Sequence, residues 1–558
     1  MLTTSFSRRT ALLAGGIGTA LFASNTTEAV AAPKTSGPVY NVLEEIGAIN
    51  GAIQHTAKPN RNRPNWVYVD RSKPRIVDGE DKTKEIQALI NDVHSSGGGT
   101  ILFPAGNYVV SGLQLESSVN IAGAGTKNTV IYLADKSNRP VLMNRLSDGK
   151  TGNAYGFSIT DLTIDGNRWG QTLDWYAKHP TNNTDPHIGM GHGILLHQLH
   201  RGIDPEIDRE TTLFNVKVRY CYHSGVHTKD HGGEVRLFNA RAFFNGGYGF
   251  NLGWDVIYSG LTAGNNEFQG LYSEHGSGSA GQVKSFNSGF ILEDGLLNGI
   301  SYATRPVPGA TIANVGHQVI TGLNVQNNTG AGLQLHNVRS TVVQVLADSN
   351  NMCATTDDAG WYTVGTEFFN DKDQRAYEKA NGVSRELRRT KPWSFSGVEF
   401  TGESVGNLVM VASNASTPQS GTPMGHQRHA VAFKDKAREN RVIAVHTQDP
   451  AAKDRVAKEV INPVTTAPEL VEQNSVQDWA GNELGKKPDA LVQLQKQVDE
   501  LQKRVDGLSQ VKLPRVSKAD RVKYQTDGTV VVDAASLRMM VWFEDRKQWR
   551  DANGRVVL

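Results

Sequence analysis

Short segments in which apolar and polar residues alternate run through most of the chain, and several of them begin with a glycine. The glycine-led segments are GILLHQ from Gly193, GVHTKD from Gly225, GFNLGW from Gly249, GLYSEH from Gly270, GISYAT from Gly299 and GLQLHN from Gly332. Alternation with a period of two residues is typical of β-strands. Other alternating segments, such as NVKVRYCY and EVRLFNARAFF, lie between them. This recurrence predicts a solenoid in which every coil contributes two or three short strands.

The segment DKTKEIQALINDVHSSGGGTILFPAGNYVVSG, residues 81–112, predicts a helix followed by a strand. Asp81 or Thr83 can cap the first turn, and the glycines at 97–99 end the helix. Four apolar residues share one helical face: Ile86, Leu89, Ile90 and Val93. The segment resembles the start of the pectate-lyase-like right-handed parallel β-helix proteins, in which a short helix covers the end of the β-helix before a GGGT-hydrophobic-x-F-P-x-G-x-Y sequence. The resemblance implies an all-β fold, a right-handed parallel β-helix with a short N-terminal capping helix. It leaves the chemistry open, because that group includes lyases, hydrolases, epimerases and phage tailspikes.

Composition divides the remainder of the chain into segments. Residues 1–32 combine Arg8 and Arg9 with a short apolar stretch and the small-residue sequence AVAA, which predicts a twin-arginine signal peptide and export to the periplasm or the medium. An N-terminal arm covers residues 33–80, the β-helix residues 81–462, and a proline-punctuated linker residues 463–488. No other apolar run is long enough to span a membrane.

The C-terminal part carries a different periodicity. Apolar residues recur at alternating spacings of three and four: Leu491, Leu494, Val498, Leu501, Val505 and Leu508. This a/d pattern predicts a coiled coil over residues 489–510 and therefore a homo-oligomer, and a small C-terminal module, 511–558, follows it. Valine at a with leucine at d favours a dimer, whereas the resemblance to secreted and viral β-helices favours a trimer.

The charge balance argues against two classes of partner, and the cysteine content argues against a disulfide framework. Lys and Arg number 58 and Asp and Glu 56, so no strong field favours binding to nucleic acid or to a membrane surface. Only Cys221 and Cys353 are present, which argues against a disulfide framework and favours two buried thiols.

Strand alternation sorts the glycine-led segments into two faces. Successive coils of a parallel β-helix stack roughly 4.7–4.9 Å apart, so equivalent positions form rows. The first and third positions after each glycine face the core, as Val226 does, and the second and fourth face outward. The outward rows are Leu195, His227, Asn251, Tyr272, Ser301 and Gln334, and then His197, Lys229, Gly253, Glu274, Ala303 and His336.

This outward face predicts a groove for a polysaccharide substrate. It mixes imidazoles, aromatic rings, amides and carboxylates, which stack on sugars, hold hydroxyl groups and move protons. The candidate catalytic residues are His227, Lys229, Asp230, Tyr272 and Glu274, and the candidate substrate-binding residues are His197, Asn251, Trp254 and His275. The alternative is a polar ladder that binds no ligand.

Two chemistries fit these candidates. A uronic-acid lyase needs a base for the C5 proton, for which Lys229 or His227 is suitable, and an acid for the leaving oxygen, for which Tyr272 is suitable. An inverting glycoside hydrolase needs two carboxyls, and Glu274 and Asp230 lie two coils apart, near ~9.6 Å, close to the ~6.5–9.5 Å expected. The lyase is the first prediction and the hydrolase the second. A tailspike-like protein that binds a surface glycan without cleaving it is the third.

Other motifs are weaker. GIDPE, residues 202–206, resembles the Asp-Pro-His of mannuronan epimerases at Asp204, but Glu206 replaces the histidine. TDPHIGMGHG, residues 184–193, resembles the Gly-His-Gly of polygalacturonase-type hydrolases without their paired aspartates. Asp165, in an Asp-Gly-Asn turn, is expected to bond its own backbone. HTKDH lacks metal-ligand spacing, so no cofactor is predicted, although carboxylates could hold calcium.

Overall fold

The protein is described here by a computed structural model. It describes residues 37–47, 51–53, 59–60, 63–67, 77–145, 154–171, 191–196, 210–228, 235–253, 255–274, 279–289, 307–348, 350, 355–356, 361–362, 395–415, 430–448, 464–465, 473–477, 480, 497–500, 503, 515–518, 521, 525, 530–533, 539–543, 547–551 and 556–557. The chain divides into two units, Met1–Gly485 and Lys486–Leu558. The predicted signal segment 1–32 lies outside the described residues.

The first unit contains a sheet of eleven short strands, which we call the front sheet, and every neighbouring pair in it is parallel. Its strands are Leu113–Leu115, Leu142–Asn144, Ile194–Leu195, Val226–His227, Phe250–Leu252, Leu271–Glu274, Ala310–Ala313, Leu333–His336, Val398–Thr401, Val431–Phe433 and Val464–Thr465.

The other strands of the coils form a parallel sheet of nineteen strands, which we call the back sheet. They are Val39–Asn41, Gly99–Phe103, Gly106–Val110, Val119–Gly123, Thr129–Leu133, Ser158–Thr160, Thr163–Asp165, Thr211–Phe214, Lys217–Arg219, Val235–Phe238, Arg241–Phe243, Val256–Ser259, Thr262–Gly264, Ser279–Phe286, Val319–Gln326, Val342–Asp348, Leu408–Ala415, Arg441–Gln448 and Ser475–Gln477. Each strand pairs with its equivalent in the next coil, as Thr211 does with Val235 and Val235 with Val256. The prediction of an all-β parallel β-helix is therefore confirmed.

The core lies between the two sheets and consists of the inward residues of each strand. Val226, Phe250 and Leu271 are completely buried and occupy one row of the front sheet. Cys221 is a buried thiol in the same core, and Cys353 lies outside the described residues. Alternation therefore assigned the inward positions of these strands correctly.

The strand-opening glycines are required by close packing between coils. A Cβ on Gly225 would lie 2.8 Å from the carbonyl oxygen of Gly249, and one on Gly249 would lie 2.6 Å from that of Gly270. The prediction that Gly299 opens the following strand is wrong. Leu271–Glu274 pairs directly with Ala310–Ala313, which pairs with Leu333–His336, so Gly309 opens that strand. A long connection separates Glu274 from Ala310, so the regular spacing of glycines did not predict this position.

Asparagines at the corners have two distinct roles. Asn265 and Asn327 adopt left-handed backbone angles, with φ of 53° and 54°, as expected for turn residues. Asn245 and Asn266 instead stack inside the coils, where the side-chain amide of Asn245 donates to Oδ1 of Asn266 at 2.9 Å. Asn328 donates to Asn350 in the same way at 2.8 Å. These buried ladders satisfy backbone and side-chain polar groups at the turns.

The N-terminal end of the β-helix carries the predicted helix. It spans Thr83–Ser95 and buries Ile86, Ile90 and Val93. A shorter helix, Val42–Ile46, is capped by Asn41, and a 3-10 helix spans Arg168–Gly170. Parallel pairing extends beyond residues 81–462, because Val39–Asn41 pairs with Gly99–Phe103 and Ser475–Gln477 pairs with Arg441–Gln448.

Three small antiparallel pairs complete the described part of the first unit: Gly51–Ile53 with Val77–Gly79, Pro59–Asn60 with Arg63–Val67, and Thr355–Thr356 with Trp361–Tyr362. None of the helices that the structure describes is both long and apolar enough to cross a lipid bilayer.

The second unit contains a five-stranded sheet. Its strands are Arg515–Val516, Val530–Asp533, Met539–Phe543, Gln548–Asp551 and Val556–Val557. Of the predicted coiled coil, residues 497–500 and 503 are described, and the apolar side chain of Val498 is 48% exposed. The rest of the a/d seam lies outside the described residues, so the coiled coil stays a prediction.

Candidate functional site

The candidate site lies on the outer face of the front sheet, in the coils between Gly191 and Glu274. His227, Asn251 and Tyr272 are paired in register on three successive strands. Glu274 lies two residues after Tyr272 and therefore on the same face. Alternation directs these side chains outward, and there they are buried: His227 is 2%, Asn251 3%, Tyr272 8% and Glu274 8% exposed. They point away from the core but are shielded from solvent, so interactions among them act in a low-dielectric environment.

Three imidazoles meet at the N-terminal edge of this face. The ring of His192 lies 4.5 Å from that of His223 and 4.6 Å from that of His227, measured between ring centroids. All three are buried. His192 immediately precedes Gly193, and His223 belongs to the turn before Gly225, so the preceding turns supply two rings and the strand supplies the third. Charging more than one ring would place like charges together in a buried space.

The side chain of Asn251 contacts His227 directly. Asn251 Nδ2 lies 3.1 Å from His227 Nδ1. The assignment of oxygen and nitrogen in an amide follows the hydrogen-bond network, and in the orientation with Nδ2 against the imidazole, Asn251 Oδ1 is buried without a partner. Rotating the amide by half a turn places Oδ1 against Nδ1, where it accepts the ring proton. In that arrangement Asn251 orients a neutral imidazole whose Nε2 carries the lone pair.

An aromatic cluster adjoins Asn251. The ring of Tyr248 lies 5.3 Å from that of Tyr272 and 5.4 Å from that of Phe268. Next to these rings, Gln269 Nε2 donates to Thr311 Oγ1 at 3.2 Å. Such a combination of ring faces and amides suits a sugar ring and its hydroxyl groups.

Tyr272 keeps its phenolic proton. Burial raises the pKa of Tyr272, and the charge of Glu274 and a side-chain hydrogen bond to it raise the pKa further. Glu274 is also held by Asn314, whose Nδ2 donates to Oε1 at 2.7 Å. At neutral pH the hydroxyl group of Tyr272 is therefore protonated.

A buried ion pair ties together the turns beside the site. Arg168 Nη2 donates to Glu267 Oε1 at 2.5 Å across a sequence separation of 99 residues. Both side chains are buried. Gly246 lies beneath the guanidinium, since a Cβ there would lie 3.1 Å from Arg168 Cζ and 2.3 Å from the carbonyl oxygen of Tyr222. Gly247 leaves room in the same way for the ring of His223, whose Nδ1 would be 3.0 Å from a Cβ.

The predicted site residues thus divide into two groups. His227, Asn251, Tyr272 and Glu274 lie together on one face, as alternation predicts. The other candidates lie outside the described residues, and their roles stay predictions: His197, Asp204, Lys229, Asp230, Trp254 and His275.

Sequence reasoning missed most of the residues in the turns. These are Arg168, His223, Tyr248, Glu267, Phe268 and Gln269, while His192 was considered only within a weaker motif. The available signal was the position immediately before each strand-opening glycine, which is occupied by His192, Ser224, Tyr248 and Gln269. The expectation for Asp165 is met, because its Oδ1 accepts from the backbone N–H of Asn167 at 3.0 Å, and its Oδ2 also pairs with Arg219 at 2.9 Å.

Within the described residues, no three His, Cys, Asp or Glu side chains come together as a metal site. No calcium ligands are therefore assigned here.

No protein-family model matches the chain. Among curated proteins, it is similar to several from Azotobacter vinelandii, including two mannuronan C5-epimerases and an alginate lyase. Mannuronan C5-epimerase AlgE2 is 29% identical over 255 residues, which are 42% of this chain and 24% of that protein. Alginate lyase 7 is 33% identical over 193 residues, 31% of this chain and 22% of that protein. Mannuronan C5-epimerase AlgE1 is 42% identical over 101 residues, 16% of this chain and 7% of that protein. The matched regions thus span less than a quarter of each relative's length.

The chain is also similar to solved structures at low sequence identity, including the two that follow. The A-module of Azotobacter vinelandii mannuronan C-5 epimerase AlgE4 matches with a TM-score of 0.43 and 15% identity, covering 77% of this chain and 99% of that one. The enzymatically active domain of bacteriophage CBA120 tailspike protein 2 matches with a TM-score of 0.43 and 14% identity, covering 67% and 47%. The fold assignment rests on the strand pairing of the chain itself.

Proposed function

We propose that the chain is a polysaccharide lyase that cleaves a uronate-containing polymer of the alginate type by β-elimination. The observation that carries the proposal is the placement of Tyr272, a phenol that keeps its proton, in register with Asn251 and His227 on one shielded face. Sequence similarity to an alginate lyase and to mannuronan epimerases supports the polymer class.

The chemistry assigns one proton transfer to each side chain. His227 Nε2 takes the C5 proton of the uronate, and the electron pair of that bond forms the C4–C5 double bond. The C4–O4 bond breaks, and the Tyr272 hydroxyl group gives its proton to the departing oxygen. Exchange with water then returns the proton from His227 to Tyr272. His227 and Tyr272 lie two strand spacings apart, roughly 9–10 Å between backbones, and are proposed to act on the same sugar.

Asn251 and Glu274 do not transfer protons themselves but position His227 and Tyr272. The side chains of Asn251 and His227 are in contact at 3.1 Å. With the amide rotated so that Oδ1 faces the ring, Asn251 accepts a hydrogen bond from the Nδ1–H of His227 and holds the imidazole in the tautomer that exposes the Nε2 lone pair. Glu274 accepts from Tyr272 in the resting state and favours its protonated form. Lys229, two residues after His227 and predicted by alternation to face the same way, is proposed to neutralise the uronate carboxylate, which makes the C5 proton more acidic.

A second candidate, C5 epimerisation, is favoured by the similarity to mannuronan C5-epimerases. It begins with the same proton abstraction. Tyr272 would then protonate C5 from the opposite face, and the glycosidic bond would stay intact.

One experiment separates these functions. Polymannuronate, polyguluronate and neutral dextran are incubated with the protein in deuterated water, and three products are measured: the ultraviolet absorbance of unsaturated uronate, new reducing ends, and deuterium at C5 in the recovered polymer. A lyase produces the first two on a polyuronate. An epimerase produces only deuterium and a changed uronate composition, a hydrolase only reducing ends, and a binding protein none of these.

The assignment of residues is tested with variants. Tyr272→Phe should remove activity and leave the coil folded, whereas Gln334→Ala, on the same outer row two strands further along, should retain it. Wild-type turnover by Tyr272→Phe on a confirmed substrate would place the catalytic face elsewhere.

A further inference from the structure

The back sheet carries a second surface that the proposed chemistry does not use. It lies on the outer face of the strands Lys217–Arg219, Arg241–Phe243, Thr262–Gly264 and the second half of Ser279–Phe286. It consists of four cations and four aromatic residues, which we call the basic-aromatic surface: Lys217, Arg219, Arg241, Lys284, Tyr220, Phe243, Phe244 and Phe286. All of them are partly or fully exposed.

Strand register places these residues in two rows. Lys217, Arg241 and Lys284 share one row, with Thr262 between the last two. Arg219, Phe243 and Phe286 share the next row, two residues further along each strand, with Gly264 between the phenylalanines. A band of cations therefore runs along the axis of the coils beside a band of aromatic rings.

The aromatic rings form a continuous platform. Phe243 and Phe286 are two strand spacings apart, yet their ring centroids lie 6.2 Å from each other. Gly264 makes this approach feasible, because a Cβ there would lie 2.5 Å from Phe286 Cζ. At the adjoining turn, Tyr220 and Phe244 stack with centroids 5.4 Å apart and an interplanar angle of 21°.

Three of the four cations lie against these rings. Lys217 Nζ is 5.9 Å from the centroid of Phe243, Lys284 Nζ is 5.4 Å from that of Phe286, and Arg219 Cζ is 5.5 Å from that of Tyr220. Contacts of this kind stabilise a cation while leaving its outer side open to an anion. Among the described side chains, the acid paired within this surface is Asp165, which is bound to Arg219.

The charges in this surface repel each other. Burial lowers the pKa of Lys217, and the neighbouring Arg219 and Arg241 lower it further, while Asp165 acts in the opposite direction. A bound anion would relieve this repulsion, as expected for a surface built to receive negative charge.

We propose that the basic-aromatic surface is a second binding site for an acidic polysaccharide, at which uronate carboxylates contact Lys217, Arg241 and Lys284 and sugar faces lie on Phe243, Phe286 and the Tyr220–Phe244 stack. A band of cations beside a band of rings, both parallel to the coil axis, matches a polymer that carries one carboxylate per sugar. The identity of the polymer rests on the proposed function.

The basic-aromatic surface lies close in sequence to the candidate site. Arg219 and Tyr220 are followed by Tyr222 and His223, and His223 is one of the three imidazoles of that site. One polymer chain can therefore bind here while a neighbouring segment occupies the front sheet. The surface would retain the substrate between catalytic events, which increases the effective concentration of cleavable units.

The test measures binding separately from catalysis. All variants are made in the Tyr272→Phe background of the full chain, and affinity for polymannuronate, dextran and single-stranded poly(dT) is measured by titration at several salt concentrations. The double variant Lys217→Gln, Lys284→Gln should bind polymannuronate about tenfold more weakly and show a shallower salt dependence. Phe286→Ala should weaken binding while leaving the salt dependence unchanged, because it removes stacking rather than charge.

The matched control removes the same number of positive charges at a different surface. Arg339 and Lys436 are exposed cations that both pair with Glu403, and Arg339→Gln, Lys436→Gln should retain wild-type affinity. Equal weakening in this control would show an effect of net charge only and would overturn the proposal. Unchanged binding by both test variants, or tighter binding of poly(dT) than of polymannuronate, would also overturn it. Binding to polymannuronate by a chain whose wild type has no activity would support this surface and reject the proposed function.

Discussion

Asn251 Nδ2 and His227 Nδ1 lie 3.1 Å apart across one strand spacing of the front sheet, and both side chains are shielded from solvent. Loss of this contact should affect the tautomer of His227 more than the fold. We expect Asn251→Ala to lower kcat by about 10- to 100-fold, comparable with the loss of other partners that orient an imidazole. Asn251→Asp should recover much of the rate and move the pH profile upward, because a carboxylate stabilises the imidazolium. Equal loss in both variants, with no change in the pH profile, would indicate a merely structural role.

Strand alternation predicts opposite effects for substitutions at an inward and an outward position of the same segment. Val226 is completely buried, so Val226→Asp places a charge in the core and should unfold its coil. Lys229→Ala, three residues later at a position that alternation predicts to face outward, should change the free energy of unfolding by no more than about 0.5 kcal/mol and reduce kcat by on the order of 10²–10⁴. Urea denaturation and turnover on the same samples check both. Full activity of Lys229→Ala would remove that lysine from the mechanism.

The ion pair between Arg168 and Glu267 joins turns that are 99 residues apart in sequence. Removing one partner leaves the other as an uncompensated buried charge, so Arg168→Met should destabilise the first unit by about 3–5 kcal/mol. The double variant Arg168→Met, Glu267→Leu should lose less than either single variant, because no charge is then left unpaired. Midpoints of urea unfolding for the four proteins test this. Additive losses would show that the two groups are not coupled.

Stability should fall at alkaline pH because several tyrosines resist ionisation in the folded chain. Burial raises the pKa of Tyr108 to about 12 and also raises the pKa of Tyr258 and Tyr272. In the unfolded chain these phenols ionise near 10.0. Above that pH the unfolded chain releases protons that the folded chain keeps, so the free energy of unfolding decreases as pH rises. Denaturation between neutral pH and about pH 12 should show a plateau and then a decline from about pH 10. Tyr258→Phe should make the decline shallower.

The a/d seam from Leu491 to Leu508 predicts association of identical chains. Leu501→Glu should give smaller particles in light scattering, while the circular dichroism of the β-helix is retained. Lys503→Glu, outside the a/d positions, serves as the control and should keep the wild-type mass. An unchanged mass in Leu501→Glu would remove the seam from the account of assembly.

The amino-acid sequence by itself determined the local features of this protein. Alternation separated Val226 from His227, and Phe250 from Asn251, because successive side chains of any strand point to opposite faces. The apolar face of the helix Thr83–Ser95 followed from its spacing in the same way. The glycines named in the sequence analysis also marked five of the eleven strands of the front sheet, since the close approach of neighbouring coils leaves no room for a Cβ there.

Only the tertiary structure decided which residues of different coils meet. Gly309, not Gly299, precedes the strand that pairs with Leu271–Glu274. Connections between coils vary in length, so the spacing of glycines along the chain does not show which strands pair. Arg168 reaches Glu267, and His192 reaches His223 and His227, through turns whose stacking depends on the whole solenoid. Alternation likewise did not predict the burial of His227 and Tyr272, because it gives the direction of a side chain and not the residues that cover it.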